Sequence, residues 1–277
     1  MSSFAFNTHS FRTLCVATAV LIAGWMAGCS NEPAPATETP APTTDTTAAQ
    51  PQPQTQTPTQ PQPQPAATTS TSPPLGIDVS HYQGQPNWNE LRGDGIAFAF
   101  AKATGGLTDT DPEFSTNWSN MKAAGIIRGA YHFYYAADDP EKQADHFLSA
   151  ITQLQPGDLP PVLDLEEGGV SGTVDKAAYA SGVFTWLQKV EKAVGLKPII
   201  YTDPNFSSEY LTDPKFGNYP LWLAEYGPEP HVPTAWAATG WTIWQYTATG
   251  SYNGVNGDVD HDKFNGTLDE LKAMTKP

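Results

Sequence analysis

From residue 75 onward the chain alternates between short apolar runs and longer amphipathic segments. Leu75–Val79 is a short apolar strand candidate, and Asn87 with Glu90 three positions on carries a capping-box signature for a short helix. Ile96–Ala103, reading IAFAFAKA, alternates at period two and predicts a strand. Asp111-Pro112 sets an N-cap before Pro at N1 and predicts a helix that Gly125 stops. Ile126–Tyr134 is the next strand, and Asp139-Pro140 repeats the helix-start signal for a helix running towards Pro156. Pro161–Glu166, PVLDLE, returns to strand. Residues 175–194 predict a long helix ended by Gly195, and Pro198–Thr202 a fifth strand. Beyond that the helix signal fades. Tyr219–Ala224, Trp241–Tyr246 and Gly257–Asp260 read as strands joined by loops, with a last helix near residues 265–274. Five βα units followed by strands with little helix predict an α/β barrel. A doubly wound open sheet is the alternative, but no Gly-rich phosphate loop follows the first strand.

Composition changes the picture upstream of residue 75. Residues 33–74 hold 12 Pro, 12 Thr and 7 Gln, with no aromatic and no Val, Ile or Leu. Such a stretch buries too little apolar surface to offset its ordering entropy, so residues 29–74 are expected to be a disordered, extended tether. Residues 75–277, about 200 in all, are enough for one core. That segment carries 13 basic against 26 acidic side chains, which disfavours nucleic acid and anionic membrane surfaces as partners.

Residues 1–28 have one basic side chain, Arg12, then a mostly apolar run from Leu14 to Ala27. The run is short for a spanning helix and reads as a signal peptide. It ends in Met26-Ala27-Gly28-Cys29-Ser30, which resembles the lipobox of bacterial lipoproteins; an ordinary signal peptide with Cys29 nearby is the alternative. Cleavage before Cys29 would remove Cys15 and leave one cysteine, itself lipidated, so neither a disulfide framework nor a thiolate metal site is expected. The expected location is the bacterial cell envelope, with the membrane reached through a lipid anchor at Cys29. The tether would span ~35 Å as a coil and at most ~130 Å extended.

Acidic residues sit at or near predicted strand ends: Asp78, Asp164, Glu166 and Asp260. In a barrel the carboxyl ends converge on one face, where barrel active sites are built. Asp164-Leu165-Glu166 is the most telling of these. Residues i and i+2 of a strand share a face about 6.6 Å apart, so two carboxylates repel and one pKa rises, which is what an acid/base pair needs. An isolated Asp-x-Glu is more often a solvated strand end, and Glu167 next door fits that reading. Asp258, Asp260, His261 and Asp262 invite a calcium-loop reading, but Lys263 stands where an EF-hand needs Gly and Asp269 where it needs Glu. No cofactor and no metal are expected, and no Gly-x-Ser-x-Gly elbow is present. Aromatics beside the acids, among them Tyr131, Tyr201, Trp222 and Tyr226, offer flat faces with polar tips suited to sugar rings.

Seven ordered stretches also carry a resemblance. They are Gly76-Ile77-Asp78-Val79-Ser80-His81-Tyr82-Gln83-Gly84, Gly129-Ala130-Tyr131-His132-Phe133-Tyr134, Leu163-Asp164-Leu165-Glu166, Ile200-Tyr201-Thr202, Leu221-Trp222-Leu223-Ala224-Glu225-Tyr226, Trp244-Gln245-Tyr246-Thr247, and Val259-Asp260 followed by Phe264. Together they span essentially all of 75–264 and resemble glycoside hydrolase family 25, the Chalaropsis-type muramidases. The resemblance implies a modified TIM-like (β/α)5(β)3 barrel acting on peptidoglycan glycan strands, at the β-1,4 bond between N-acetylmuramic acid and N-acetylglucosamine. It implies Glu166 as general acid, its pKa raised by repulsion from Asp164, Asp78 and Asp260, with Asp164 as companion carboxylate and Asp78 and Asp260 as the acids completing the site. Tyr131, Tyr201, Trp222, Tyr226 and Gln245 become substrate-binding candidates, and the enzyme is expected to be a monomer. Family members are similar to retaining enzymes in which the substrate's own N-acetyl group is a candidate nucleophile. One departure is visible: the family commonly reads Lys-Ala-Thr-Glu-Gly where this chain has Lys102-Ala103-Thr104-Gly105-Gly106. Two rival functions stay in view, a non-catalytic peptidoglycan-binding lipoprotein and a chitinase-like glycosidase. The chitinase motif has further acids where this chain has Val162 and Pro160.

Overall fold

The computed structural model of the protein describes residues 72–152 and 154–277. The expected signal peptide, Cys29 and the tether up to residue 71 lie outside the described residues. The strands are β1 (Leu75–Val79), β2 (Ile96–Gly105), β3 (Asp109–Thr110), β4 (Ile127–Phe133), β5 (Val162–Asp164), β6 (Ile199–Thr202), β7 (Leu221–Ala224), β8 (Ile243–Gly250) and β9 (Val259–Phe264). Between them run α1 (Trp88–Gly93), α2 (Phe114–Ala123), α3 (Pro140–Ile151), α4 (Lys176–Val194) and α5 (Pro204–Tyr210), and α6 (Leu268–Ala273) follows β9. The sheet runs β1-β9-β8-β7-β6-β5-β4-β2 and closes through a β1–β2 pairing, with β3 a two-residue extension on β2. This is an eight-stranded closed barrel in which five βα units precede three strands with no α-helix between them.

Two layers of packing hold it. Inside the barrel Phe98, Phe100, Val162, Ile199, Trp222, Ile243 and Phe264 form one buried cluster, with Phe100 and Trp222 stacked at 4.6 Å between ring centres. Two glycines make room for the rings: a Cβ on Gly76 would meet Phe98 at 2.4 Å, and one on Gly129 would meet Phe100 at 2.2 Å. Outside the barrel the opposite strand parity (Ile77, Ala99, Ala101, Leu163, Ile200 and Leu223) packs under helix residues such as Leu91, Met121, Phe147 and Trp186. Each such large apolar side chain contributes roughly 1.5–3 kcal/mol on burial.

Helix starts show where local signals suffice. Asp139 caps α3 as predicted, its side chain accepting from Lys142 N, and Asp175 caps α4 by accepting from Ala178 N. Gly195, at φ 75°, closes α4 in the left-handed region. Asp111 behaves differently. One carboxylate oxygen accepts from Glu113 N at 3.0 Å in the turn leading into the helix, while the other accepts from the His81 backbone N–H at 2.9 Å and lies 2.8 Å from His81 Nδ1; α2 itself begins at Phe114. Conversely, α5 was not predicted, although Asp203-Pro204 carries the same signal; Asp203 caps it by accepting from Asn205 N and Phe206 N.

The direction of the last strand also differs from expectation. β9 runs antiparallel to both β1 and β8, while every other neighbouring pair in the closed barrel is parallel. Asp260 therefore stands near the amino end of its strand, not the carboxyl end. Reversal of the strand still brings it to the same barrel mouth, directly opposite Asp78 in register.

Candidate active site

Strand parity decides which side chains reach the mouth. Along β5, Val162 packs in the interior cluster and Leu163 in the outer one, so Asp164 shares the interior face with Val162. The ladder ends at Asp164, but Leu165 N still donates to Tyr201 O and Glu166 keeps extended backbone (φ −145°, ψ 172°). Glu166 thus stays on the interior side. Glu167 opens a 3-10 turn and is exposed outside the cavity. By the same alternation Asp78, Lys102, Tyr131, Tyr201, Trp222, Gln245 and Asp260 all point inward.

They line one cavity of about 460 Å³, together with Ser80, Tyr82, Gln83, Phe133 and Tyr135. The four nominated acids and the five nominated binding residues all meet there. Their surroundings differ. Gln245 Nε2 donates to Asp78 Oδ2 at 2.8 Å, and the hydroxyls of Tyr201 and Tyr226 both donate to Gln245 Oε1 at 3.0 Å. That network orients the Gln245 amide and holds Asp78. Trp222 is 2 % exposed and donates its indole N–H to Asp262 at 2.9 Å, so it forms the floor, not an open stacking face. Among the described residues the most open aromatic faces at this mouth belong to Tyr82, 83 % exposed, and Tyr226, 60 % exposed, with Tyr135 less so.

Charge in the cavity is strongly perturbed. Burial first, then Asp260 and Asp262, push the Asp78 carboxyl well above the usual range. Burial and then Glu166 do the same to Asp164, whose Oδ1 has no hydrogen-bond partner within the described residues. Asp260 is pushed up to about 6 by burial, and its contact with Asp78 works in the opposite sense. Glu166 is raised by burial, then by Asp203 and Asp260, with Lys102 opposing. Asp260 contributes as expected, but desolvation leads, and Asp203, which caps α5, is a contributor not expected from the sequence. Asp164 and Glu166 repel each other, and Asp164 is the deeper of the two.

Three groups were missed from the sequence. Lys102 was read as part of an alternating strand, Asp203 as loop, and Asp262 as part of a calcium-like run. β9 splits that run, with Asp260 and Asp262 facing the interior and His261, which packs on Tyr246 and Tyr252, the other side. Asp262 is fully buried, and burial raises its carboxyl well above the usual range despite the Trp222 hydrogen bond. A folded pKa above the unfolded value means the folded state holds the extra proton between the two, so this group's contribution to stability falls as pH rises. Asp262→Asn should therefore flatten the decline in melting temperature between about pH 4 and pH 7. Parallel melting curves for variant and wild type would reject that.

A barrel mouth lined by four carboxylates of raised pKa, flanked by exposed tyrosine faces, is the arrangement of an acid–base glycosidase. The model for glycosyl hydrolases family 25 matches residues 77–255. The chain is 37 % identical to lysozyme M1 of Streptomyces globisporus over 72 % of its length and 70 % of that protein. It is 31 % identical to the N,O-diacetylmuramidase of Chalaropsis sp over 72 % of its length and 97 % of that protein. The crystal structure of the bacterial lysozyme from Streptomyces coelicolor superposes with a TM-score of 0.70 at 36 % identity, covering 74 % of this chain and 98 % of that one. The chain belongs to glycosyl hydrolase family 25.

Proposed function

We propose that the protein is a peptidoglycan hydrolase, an N-acetylmuramidase cleaving the β-1,4 bond between N-acetylmuramic acid and N-acetylglucosamine. The observation that carries this reading is the meeting of Asp164 and Glu166, both with raised carboxyl pKa, opposite Asp78 and Asp260 in one open cavity. Glu166 acts as general acid and protonates the leaving glycosidic oxygen. Asp164, deeper and partly unpartnered, is the companion carboxylate that stabilises positive charge developing at the sugar. Asp78, fixed by Gln245, and Asp260 complete the acidic wall. Tyr131, Tyr201 and Trp222 shape the floor and walls, and Tyr226 presents an open face to the glycan. The relatives named lysozyme and N,O-diacetylmuramidase support a cell-wall glycan over chitin. The test is clearance of purified peptidoglycan, followed by turbidity, beside cleavage of a chitin oligosaccharide. Clearance with new muramic-acid reducing ends is expected; chitin cleavage without clearance would overturn the assignment.

Export and anchoring belong to the same proposal. Cys29 carries the lipid, and the Pro/Thr/Gln-rich segment lets the barrel work away from the membrane. Cys29→Ala should move the protein from the membrane to the soluble exported fraction while specific activity stays unchanged. Mass spectrometry showing an unmodified mature terminus, or cleavage away from Cys29, would reject the anchor.

A further inference from the structure

Lys102 is, among the described residues, the one cation lining the cavity, against the carboxylates of Asp78, Asp164, Glu166 and Asp260. Among the described residues its ion pair is with none of these. Its Nζ lies 3.0 Å from Asp109 Oδ2 on β3 and 5.6 Å from the centre of the Phe133 ring. Gly105 explains how Asp109 reaches it. A register shift after Lys102 brings Gly105 opposite Phe133 of β4, while β3 pairs Asp109 directly with Gly105. A Cβ on Gly105 would lie 3.0 Å from Asp109 Oδ2, tighter than ordinary packing, but 3.4 Å and 3.5 Å from Phe133 and Tyr135. The backbone of Gly105 is not in the positive-φ region, so it could carry a side chain. The space left by that absent side chain is where the Asp109 carboxylate sits.

We propose that Asp109 is a positioning residue that holds Lys102 away from the acid pair, filling from the hairpin the place a carboxylate side chain at position 105 would take. The proposal rests on the assignment of Glu166 and Asp164 given above. Even from its clamp, Lys102 pulls both of these carboxyls downward. Released, the ammonium would settle on the nearest carboxylates, and an opposite charge within ~4–6 Å lowers a carboxyl pKa by roughly 1–3. Glu166 would then ionise and lose the proton it must donate. The other groups facing the pair cannot hold Lys102 elsewhere without bringing it deeper: Asp78 and Asp260 line the same cavity, Asp203 is engaged capping α5, and Tyr131, Tyr201 and Tyr226 are neutral phenols. His132, on the outer side of β4, has its pKa pushed down to about 3 by burial and supplies no rival cation.

The test uses the full mature chain with Asp109→Ala, followed by the pH dependence of peptidoglycan clearance and by carbon-13 NMR titration of the Glu166 carboxyl. Asp109 sits half-exposed on a two-residue hairpin, and circular dichroism checks that the fold is kept. The alkaline limb should move down by about one pH unit, with a roughly tenfold loss at neutral pH. Adding Lys102→Met should return the limb towards its original position. Adding Gly105→Glu instead should do so too, because the tight contact at that Cβ is with Asp109 alone. A limb that stays or moves upward, or a loss that Gly105→Glu leaves in place, overturns the proposal. The NMR titration needs no turnover, so a shifted Glu166 in a protein that clears no peptidoglycan would overturn the functional reading and keep the charge relation. Normal clearance with an unmoved titration would overturn the role of Asp109 alone.

Discussion

Glu166→Gln is expected to lower turnover on peptidoglycan by about 10² to 10⁴ while leaving glycan binding largely intact. An unperturbed glutamate, with a pKa of about 4.3, would be almost fully ionised at neutral pH and could not serve as an acid. Glu166 is partly withdrawn from water, and Asp203 and Asp260 add repulsion, so its proton is held to higher pH. Glutamine keeps the shape and hydrogen bonding but has no proton to give. The same shift yields a check on folding. Because the folded pKa is raised, ionised Glu166 costs stability once pH passes that value, and a neutral glutamine removes the cost. The melting temperature of the variant at neutral pH should therefore be equal or higher. Near-normal hydrolysis with intact circular dichroism would sink the assignment, and Glu167, exposed outside the cavity, would be the next residue to test.

Asp164→Asn should cost about 10² to 10³ in kcat/KM, the loss expected when a preorganised charge is taken from a developing charge of opposite sign. Asp164 is 8 % exposed and its buried Oδ1 has no partner within the described residues, so its negative charge is little screened by water or by hydrogen bonds. In the proposed reaction it must be ionised while Glu166 is protonated, which makes it the source of the acidic limb of the pH profile. Its carboxyl is raised first of all by burial, so that limb should lie above the ~3.9 of an ordinary aspartate. Asparagine removes the titrating group, and the residual activity should lose its acidic limb. Retention of the limb at its original pH would assign it to another acid, with Asp78 and Asp260 as candidates.

The sequence by itself determined most strand cores and the parity of β5, because period-two alternation in a sheet follows from the backbone alone. Leu163 and Leu165 share one face, so Asp164 and Glu166 share the other, and the order of residues is enough to say so; that this face is the barrel interior came from the structure. Helix ends with an uncontested Asp-Pro or Gly signal, at Asp139 and Gly195, were equally legible. The second role of Asp111, holding His81 thirty positions earlier in the chain, was not legible, because local signals hold no information on such a partner. Only the tertiary structure decided the direction of β9, since an alternating run reads the same in either sense. That reversal puts Asp260 opposite Asp78 and sends Asp262 into the floor against Trp222. It likewise decided which neighbours set the pKa of Glu166. Charge effects fall with distance through space, and barrel closure brings Asp203 and Lys102, from two other strand ends, to one mouth.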